Sequence, residues 1–241
     1  MADELARTRM LLGDEGMERL KRSRVAVFGL GGVGGYVVEA LARSGVGALD
    51  LVDNDTVAPS NLNRQIIATR DTLGMKKTEA AAQRVRSIDP TIRVKTFDVF
   101  LTRENAGDFT YSDYDYIVDA IDTVSAKIEL ICRAQAAGVP IISSMGTGNK
   151  LDPSRLRIAD LSETRNCPLA RVMRKELRRR GVEHVKVVFS TELPMDTPPG
   201  GETREASGRP VPGSVAFVPS AAGLLAAGEI VRHLSGAKPR E

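Results

Sequence analysis

Apolar and polar positions divide the chain into two kinds of alternating segment. Short runs rich in β-branched residues predict buried strands, and the segments between them carry apolar residues at helical spacing. The predicted strands are Val25–Phe28, Leu49–Val52, Ile92–Phe97, Tyr116–Asp119 and Val139–Ser143. The predicted helices are Val33–Ser44, Lys76–Ser87 and Val124–Ala137. This alternation predicts an α/β fold with a Rossmann-like, doubly wound and mostly parallel sheet.

The pattern changes after Gly148. Two further strands, Leu156–Leu161 and Val185–Phe189, are predicted on either side of a helix. That helix begins at Asn166–Pro168, with an N-cap and an early proline, and ends at Gly181. We expect these elements to form an antiparallel C-terminal extension of the sheet.

The length and the apolar content favour a single domain over residues 1–241. Within it, residues 1–22 are predicted to form an N-terminal helical arm, 23–148 the core and 149–241 the C-terminal extension. Residues 194–213 contain five prolines, four glycines and almost no apolar residues. Such a segment cannot bury enough surface to offset its ordering entropy, so we expect a mobile loop.

Composition excludes several classes of protein. Lysine and arginine number 34 against 31 acidic residues, and a net charge of +3 does not by itself mark a nucleic-acid-binding protein. Cys132 and Cys167 are far apart and form no C-x-x-C pair, so neither a disulfide framework nor a cysteine zinc site is expected. Charged residues interrupt the apolar segment Ser220–Leu234, which predicts a packed helix and no membrane span. Without a signal-peptide pattern, we expect a cytoplasmic protein.

A glycine-rich turn follows the first predicted strand and precedes the first predicted helix. Gly29, Gly31 and Gly34 have G-x-G-x-x-G spacing, and Gly32 adds a fourth glycine. Glycines here let phosphates approach backbone N–H groups and the positive end of the helix dipole. In this context the pattern indicates that 23–148 is a nucleotide-binding core. A tight structural turn is the alternative.

Asp53 ends the second strand, nineteen positions after Gly34. A carboxylate at this position of a doubly wound sheet accepts hydrogen bonds from ribose hydroxyls. On this evidence alone NAD is the leading ligand, and the protein would be an NAD-dependent oxidoreductase.

The segment after Asp53 argues for phosphate chemistry instead. It crowds polar side chains beside the proposed ribose, namely Asp55, Asn61, Asn63, Arg64 and Gln65. Arg64 and Lys77 would neutralise charge on a triphosphate, and Asp55 or Asp122 would hold magnesium. Hydride transfer needs none of these groups. An Asx-rich loop with a solvated arginine is the alternative.

Asp122 follows the fourth predicted strand. The carboxyl ends of the first, second and fourth strands converge at the switch point of a doubly wound sheet, so the glycine loop, Asp53 and Asp122 are expected to meet. Capping of the helix that starts near Val124 is an alternative role for Asp122, and it is compatible with the first.

Five motifs recur in the same order in the ubiquitin-activating-enzyme-like adenylating enzymes, a superfamily that the chain resembles. They are Gly29–Gly34, Asp53–Asp55, Ser60–Gln65, Gly74–Lys77 and Asp119–Asp122. The resemblance implies ATP and Mg²⁺ as cofactors. It also implies attack of a carboxylate on the α-phosphate, release of pyrophosphate and formation of an acyl-adenylate.

The same resemblance implies roles for individual residues. Asp53 matches the ribose ligand, Arg64 and Lys77 match the phosphate-binding cations, and Asp122 matches the acid beside magnesium and the reacting carboxylate. Arg9 resembles an arginine that reaches the phosphates bound by the partner subunit, which implies a homodimer. A non-catalytic scaffold is disfavoured because the whole set of charged residues is present.

Within the superfamily the chain resembles the tRNA threonylcarbamoyladenosine dehydratases, through Leu41–Gly45, Asn61–Gln65, Ser143–Gly148 and Asp160–Thr164. This implies activation of the threonyl carboxylate of the modified adenosine next to the anticodon, and ring closure with loss of AMP. Relatives that adenylate ubiquitin-like sulfur-carrier proteins usually carry paired C-x-x-C zinc ligands, which this chain lacks. Adenylation of such a carrier is the alternative function, and a sulfur-transfer protein is considered as an additional partner.

The predicted helix after Pro168 has one apolar and one basic side. The basic residues are Arg171, Arg174, Lys175, Arg178 and Arg179. They would form an electrostatic footprint for tRNA phosphates, and a solvated helix face is the alternative. No aromatic residues are interleaved, so stacking on bases is not expected there.

Overall fold

The computed structural model describes residues 4–196 and 211–239. Seven strands form one sheet in the order β3-β2-β1-β4-β5-β7-β6. The strands are β1 (Arg24–Phe28), β2 (Ala48–Val52), β3 (Arg93–Phe97), β4 (Tyr116–Asp119), β5 (Ile141–Ser144), β6 (Leu156–Asp160) and β7 (Lys186–Ser190). Every neighbouring pair is parallel except β6 and β7, where Ile158 lies opposite Val188 in antiparallel register. The predicted sheet and its antiparallel extension are therefore confirmed.

Six α-helices accompany these strands within the described residues. They are α1 (Ala6–Arg22), α2 (Gly34–Arg43), α3 (Lys77–Ile88), α4 (Val124–Ala136), α5 (Pro168–Arg178) and α6 (Phe217–Ser235). Gly13 has φ 70° and kinks α1. None of the helices in the described part of the chain is long and apolar enough to cross a bilayer.

The sheet is covered on both faces because its strands are apolar on both sides. In β1, Val25 and Val27 enter the core cluster that also contains residues of α1, α2, α3 and α6. Ala26 and Phe28 point to the opposite face and join the cluster that contains residues of α4 and α5. Alternation with a period of two therefore divides one strand between two cores, as a doubly wound sheet requires.

The strand order reverses at β1, which pairs with β2 on one side and β4 on the other. This reversal creates a crevice at the carboxyl ends of β1 and β4, where ligands bind in open α/β sheets.

Most predicted element boundaries differ from the structure by a residue or two, and the helix after Pro168 differs more. The helix predicted to end at Gly181 ends at Arg178, and Gly181 follows in the left-handed region with φ 75°. Its N-cap is Cys167, whose Sγ accepts a hydrogen bond from the Ala170 N–H at 3.5 Å. The predicted mobile loop 194–213 falls mostly outside the described residues, since 197–210 are not described.

Candidate nucleotide site

The glycine turn after β1 is held by close backbone contacts. Gly29 has φ 90°, and a Cβ there would lie 2.6 Å from the carbonyl oxygen of Ala120. A Cβ on Gly34 would lie 1.8 Å from the carbonyl oxygen of Gly29. Gly31 is different, because its nearest neighbour would be Nε2 of Gln65 at 3.9 Å. Gly29 and Gly34 are therefore required by the turn itself, whereas Gly31 leaves space for a ligand.

A cavity of about 510 Å³ opens above this turn, at the carboxyl ends of β1, β2 and β4. We call it the switch-point cavity. The structure brings ten of the twelve sequence-predicted binding residues to its wall: Gly29, Gly31, Gly32, Asp53, Asp55, Asn61, Arg64, Gln65, Lys77 and Asp122. Gly34 and Asn63 are not part of the wall. The predicted meeting of the glycine loop, Asp53 and Asp122 therefore occurs.

Asp53 connects the end of β2 to the glycine turn. Its Oδ2 accepts a hydrogen bond from the Leu30 N–H at 2.6 Å, and its Oδ1 accepts one from the Asp55 N–H at 2.8 Å. A carboxylate has about four acceptor positions, so each oxygen retains capacity for another donor. Asp53 can therefore fix the phosphate-binding turn and still accept a hydrogen bond from a ligand hydroxyl.

The two predicted phosphate cations are each held by the protein. Lys77 is 7% exposed, and its Nζ lies 2.6 Å from Oδ2 of Asp55, a side chain that is 59% exposed. Arg64 donates from Nη1 to the Ser60 carbonyl oxygen at 2.8 Å and to Oδ1 of Asn63 at 2.9 Å. Asn63 thus orients Arg64 from behind the wall. These contacts hold the two cationic side chains at the cavity wall, where a triphosphate would need them.

Two amides complete this part of the wall. Oδ1 of Asn61 accepts a hydrogen bond from the Ala58 N–H at 3.1 Å, so Asn61 shapes the turn that precedes Arg64. Oε1 of Gln65 is buried and has no hydrogen-bond partner within the described residues. A buried acceptor without a donor is costly, and at a cavity wall it points to a ligand donor.

Asp122 lies between β4 and α4. Its Oδ1 accepts a hydrogen bond from Oγ1 of Thr123 at 3.4 Å, and the N-cap position of α4 belongs to Thr123. The described residues contain no cluster of three or more metal-binding side chains. A metal ion at this cavity would therefore need phosphate oxygens together with Asp122, which is how magnesium usually binds in nucleotide enzymes.

Arg9 does not line the switch-point cavity of its own chain. It lies on α1, where its Nη1 is 2.9 Å from Oδ1 of Asp14. A contribution of Arg9 to phosphate binding would thus have to come from a second copy of the chain.

The five basic residues of the α5 segment fall into different environments. Arg174 is half-buried and donates from Nη1 to the carbonyl oxygen of Thr164 at 2.9 Å, so it stabilises the preceding turn. Arg179 pairs with Glu176 at 2.9 Å. The structure records no ion pair for the remaining three within the described part of the chain, and all three are exposed: Arg171, Lys175 and Arg178.

Neither cysteine resembles a nucleophile. Cys167 is buried at the N-cap of α5, and burial raises the pKa of the Cys132 thiol above its ordinary value. Neither histidine lines the switch-point cavity. His184 lies at the surface, 3.5 Å from Asp160, and His233 packs edge-on against the ring of Tyr116.

The cavity wall also contains residues for which the sequence predicted no binding role. Phe100 and Leu101 follow β3, and Thr147 and Gly148 follow β5. Their positions after strand ends were the available signal, because carboxyl ends of parallel strands share one edge of the sheet. The segment 211–219 adds a set of residues that no local pattern indicated: Val211, Pro212, Ser214 and Pro219.

Asn149 holds that segment at the cavity mouth. Its N–H donates to the Gly213 carbonyl oxygen, and its own carbonyl oxygen accepts from the Met195 N–H, both at 2.8 Å. Asn63 adds a contact, because its Nδ2 donates to the Ser214 carbonyl oxygen at 3.0 Å. Asn149 therefore holds the backbone at both Met195 and Gly213.

Comparisons with known proteins agree with this arrangement. The tRNA threonylcarbamoyladenosine dehydratase of Bacillus subtilis is 41% identical over 242 residues, which cover 97% of this chain and 95% of that protein. The Escherichia coli dehydratase is 38% identical over 193 residues, covering 77% and 72%. The solved structure of the E. coli enzyme TcdA in complex with ATP has a TM-score of 0.87 at 33% identity and covers 97% of this chain and 94% of that chain.

The model of the ThiF family matches residues 5–241. This match extends from α1 to the end of the chain, so it includes the glycine turn, every charged residue of the switch-point cavity and the C-terminal extension. The chain therefore belongs to the ThiF family, within the adenylating superfamily that its sequence motifs resemble.

Proposed function

We propose that the protein catalyses the ATP-dependent, cyclising dehydration of threonylcarbamoyladenosine next to the anticodon of tRNA. One observation carries the proposal: Arg64, Lys77 and Asp122 meet the glycine turn in a single cavity, in a chain that aligns over 97% of its length with a dehydratase of that name. The E. coli dehydratase TcdA has been solved in complex with ATP and in complex with AMP.

The reaction consists of two displacements, the first at the α-phosphorus of ATP and the second at the carbonyl carbon of the threonyl group. An oxygen of the threonyl carboxylate attacks the α-phosphorus of ATP, and pyrophosphate leaves. A nitrogen of the neighbouring urea then attacks the activated carbonyl carbon, loses its proton and expels AMP, which carries away the carboxylate oxygen. The sum is loss of one water, coupled to cleavage of ATP. The second attack is intramolecular, so orientation replaces a protein nucleophile.

Each residue of the cavity has a task in this proposal. Lys77 and Arg64 neutralise the charge that accumulates on the phosphates during attack. The glycine turn presents backbone N–H groups at the start of α2, and Asp53 accepts from the ribose hydroxyls. The orphaned Oε1 of Gln65 accepts a donor from the nucleotide or from the tRNA.

Magnesium fits the donor set at this cavity. Asp122 would supply a carboxylate oxygen, and the phosphates of ATP would supply the others, since magnesium favours one or two carboxylates plus phosphates over an all-protein cage. The ion would withdraw charge from the phosphate oxygens.

Assembly and location complete the proposal. The active enzyme is a homodimer in which Arg9 of each subunit reaches the phosphates bound by the other. The exposed basic side chains on α5, Arg171, Lys175 and Arg178, contact tRNA phosphates. The substrates are ATP and tRNA, so the reaction takes place in the cytoplasm, and a sulfur-transfer protein is an additional partner.

The decisive test uses purified protein, ATP, Mg²⁺ and tRNA that carries threonylcarbamoyladenosine. We expect AMP to form in step with a nucleoside that is lighter by one water, detected by mass spectrometry, and no AMP with unmodified transcript. A parallel reaction contains a ubiquitin-like sulfur-carrier protein instead of tRNA. If the carrier supports pyrophosphate exchange and tRNA does not, the function is adenylation of the carrier and not dehydration of tRNA. Calorimetry that detects NAD binding and no ATP binding would refute both.

A further inference from the structure

A fully buried ion pair lies directly beneath the switch-point cavity. Lys127 on α4 and Asp119 at the end of β4 are both 0% exposed, and their Nζ and Oδ2 atoms are 2.9 Å apart. Neither residue is part of the cavity wall, so a nucleotide bound in the cavity would touch neither of them.

All three N–H groups of the Lys127 ammonium have acceptors. Besides Asp119, Nζ donates to the carbonyl oxygen of Ile121 at 3.1 Å and to that of Ser144 at 2.8 Å. Both carboxylate oxygens of Asp119 also have hydrogen-bond donors. Its Oδ2 accepts from Oγ of Ser143 at 2.5 Å, and its Oδ1 accepts from the Ile121 N–H at 3.2 Å.

These acceptors lie where β4 and β5 end and run into the loops that form the floor of the cavity. Ile121 stands immediately before Asp122, and both line the cavity. Ser144 ends β5 and precedes the loop that supplies Thr147 and Gly148 to the same wall. One ammonium group therefore ties the loop after β4 to the loop after β5.

We infer that Lys127 is a positioning residue, which sets the distance between Asp122 and the Thr147–Gly148 loop for attack on the α-phosphate. This inference rests on the proposed adenylation chemistry. A displacement requires the carboxylate and the phosphate at attack distance and in the correct orientation. A misplacement of about 1 Å can lower the reaction rate on the order of 100-fold.

Stability alone does not account for this lysine. Apolar side chains of similar volume often stabilise a core at least as well as a buried ion pair does. Lys127 also lies near the N-terminus of α4, where the helix dipole disfavours a cation. What an apolar side chain cannot provide is a set of three directed hydrogen bonds that join the end of β4 and its following loop to the end of β5.

The test compares two double variants. Asp119→Asn with Lys127→Met removes both charges at nearly constant volume, which avoids the unpaired buried carboxylate that Lys127→Met alone would leave. The matched control is Arg24→Met with Asp50→Asn, at a partly buried ion pair of 2.7 Å outside the cavity. Melting temperatures show whether the two pairs contribute comparably to folding.

We expect the Lys127 double variant to lose kcat on the order of 100-fold, with the KM for ATP changed less than about twofold, because the phosphate-binding residues are untouched. Amide hydrogen exchange should become faster in residues 119–124 and 144–149 and stay unchanged in β1. The control should keep wild-type kcat. Wild-type kcat in the Lys127 double variant, or a loss confined to the KM for ATP, would overturn the inference.

Failure of the proposed function gives a different result. If the wild type forms no AMP with modified tRNA, the proposed activity on tRNA is wrong. Hydrogen exchange measured in the presence of ATP alone then tests whether Lys127 positions the two loops. Faster exchange in both floor loops of the Lys127 double variant would still support the positioning role, and unchanged exchange would refute it.

Discussion

Nζ of Lys77 lies 2.6 Å from Oδ2 of Asp55, and the lysine is buried while the aspartate is largely exposed. The carboxylate thus neutralises the cation at the cavity wall. Arrival of a triphosphate offers Lys77 a stronger anion, and Asp55 can swing into water at little cost because its side chain is already exposed.

Lys77→Met should abolish most of the adenylation activity while leaving the fold intact. The change removes a cation that stabilises the phosphates during attack, and a single such contact is worth about 100-fold to 1,000-fold in kcat. Lys76→Met is the matched control, because Lys76 is the preceding residue, is about half exposed and pairs with Asp98 at 3.0 Å. AMP formation measures activity, and circular dichroism measures folding. Equal activity of the two variants would remove Lys77 from the site.

Gly31→Ala and Gly34→Ala should separate ligand binding from folding. A Cβ at Gly31 meets nothing closer than 3.9 Å, so this variant should fold normally and bind ATP more weakly because the methyl group occupies phosphate space. A Cβ at Gly34 would overlap a backbone carbonyl at 1.8 Å, which should cost about 3 kcal/mol or more in unfolding free energy. Calorimetric titration with ATP and thermal denaturation measure the two effects. Normal ATP affinity in Gly31→Ala would contradict the phosphate-binding role of the turn.

The strands and the cavity residues were largely predictable because their signals are local. A buried β-branched run predicts a strand, the glycine spacing predicts the turn, and the positions of Asp53 and Asp122 after strand ends predict where they meet. The predicted roles of these residues in binding and catalysis remain predictions.

The layer beneath the cavity was not predictable, because its signals are not local. Lys127 occupies an ordinary helical position, and only the pairing of β4 with β5 brings its ammonium group to Ser144. Arg174 likewise falls on the polar side of its helix, yet the turn at Leu161–Thr164 folds against it and half-buries it. Tertiary packing, which one sequence does not show, decides both cases.

Arg64→Gln should raise the KM for ATP and lower kcat, because the guanidinium supplies charge at the phosphates. Stability should change by less than about 0.5 kcal/mol, since the two contacts of Arg64 to Ser60 and Asn63 are exposed. Arg70→Gln, at an exposed position outside the cavity, is the control. Wild-type kinetics in the Arg64→Gln enzyme would contradict the assignment of Arg64 as a phosphate-binding residue.

Replacing Arg171, Lys175 and Arg178 together by Gln should weaken tRNA binding without changing ATP affinity. The slope of log K against log salt is negative, and each lost phosphate contact reduces its magnitude by about 0.7 to 0.9. The control triple, Arg86, Arg93 and Lys95 to Gln, removes the same charge from exposed positions on α3 and β3. Filter binding at several salt concentrations measures the slopes. Equal slopes for both triples would assign the α5 residues to a solvated helix face.

Glu229 should make stability depend on pH in the acidic range. The Lys186 ammonium and the Arg232 guanidinium, which lies 2.7 Å away, lower the pKa of Glu229 below its usual value. The stability from this lowered pKa is fully present above the unfolded pKa, about 4.3, and disappears as pH falls through the folded value.

Glu229→Gln should therefore cost about 1 kcal/mol of unfolding free energy at pH 7 and progressively less below about pH 4.5. Urea denaturation at several pH values checks this. Glu183→Gln, at an exposed position between α5 and β7, serves as the control and should show no comparable loss. A Glu229→Gln difference that persists unchanged at pH 3 would show that packing, and not charge, explains it.

The double backbone contact of Asn149 joins two distant parts of the chain through main-chain atoms alone. Its N–H group bonds Gly213 and its carbonyl oxygen bonds Met195, and Asn149 directly follows Thr147 and Gly148 of the cavity wall. Hydrogen bonds between main-chain groups do not depend on the identity of the side chains. The side chain at Met195 can therefore change in evolution while this junction and the wall beside it keep their shape.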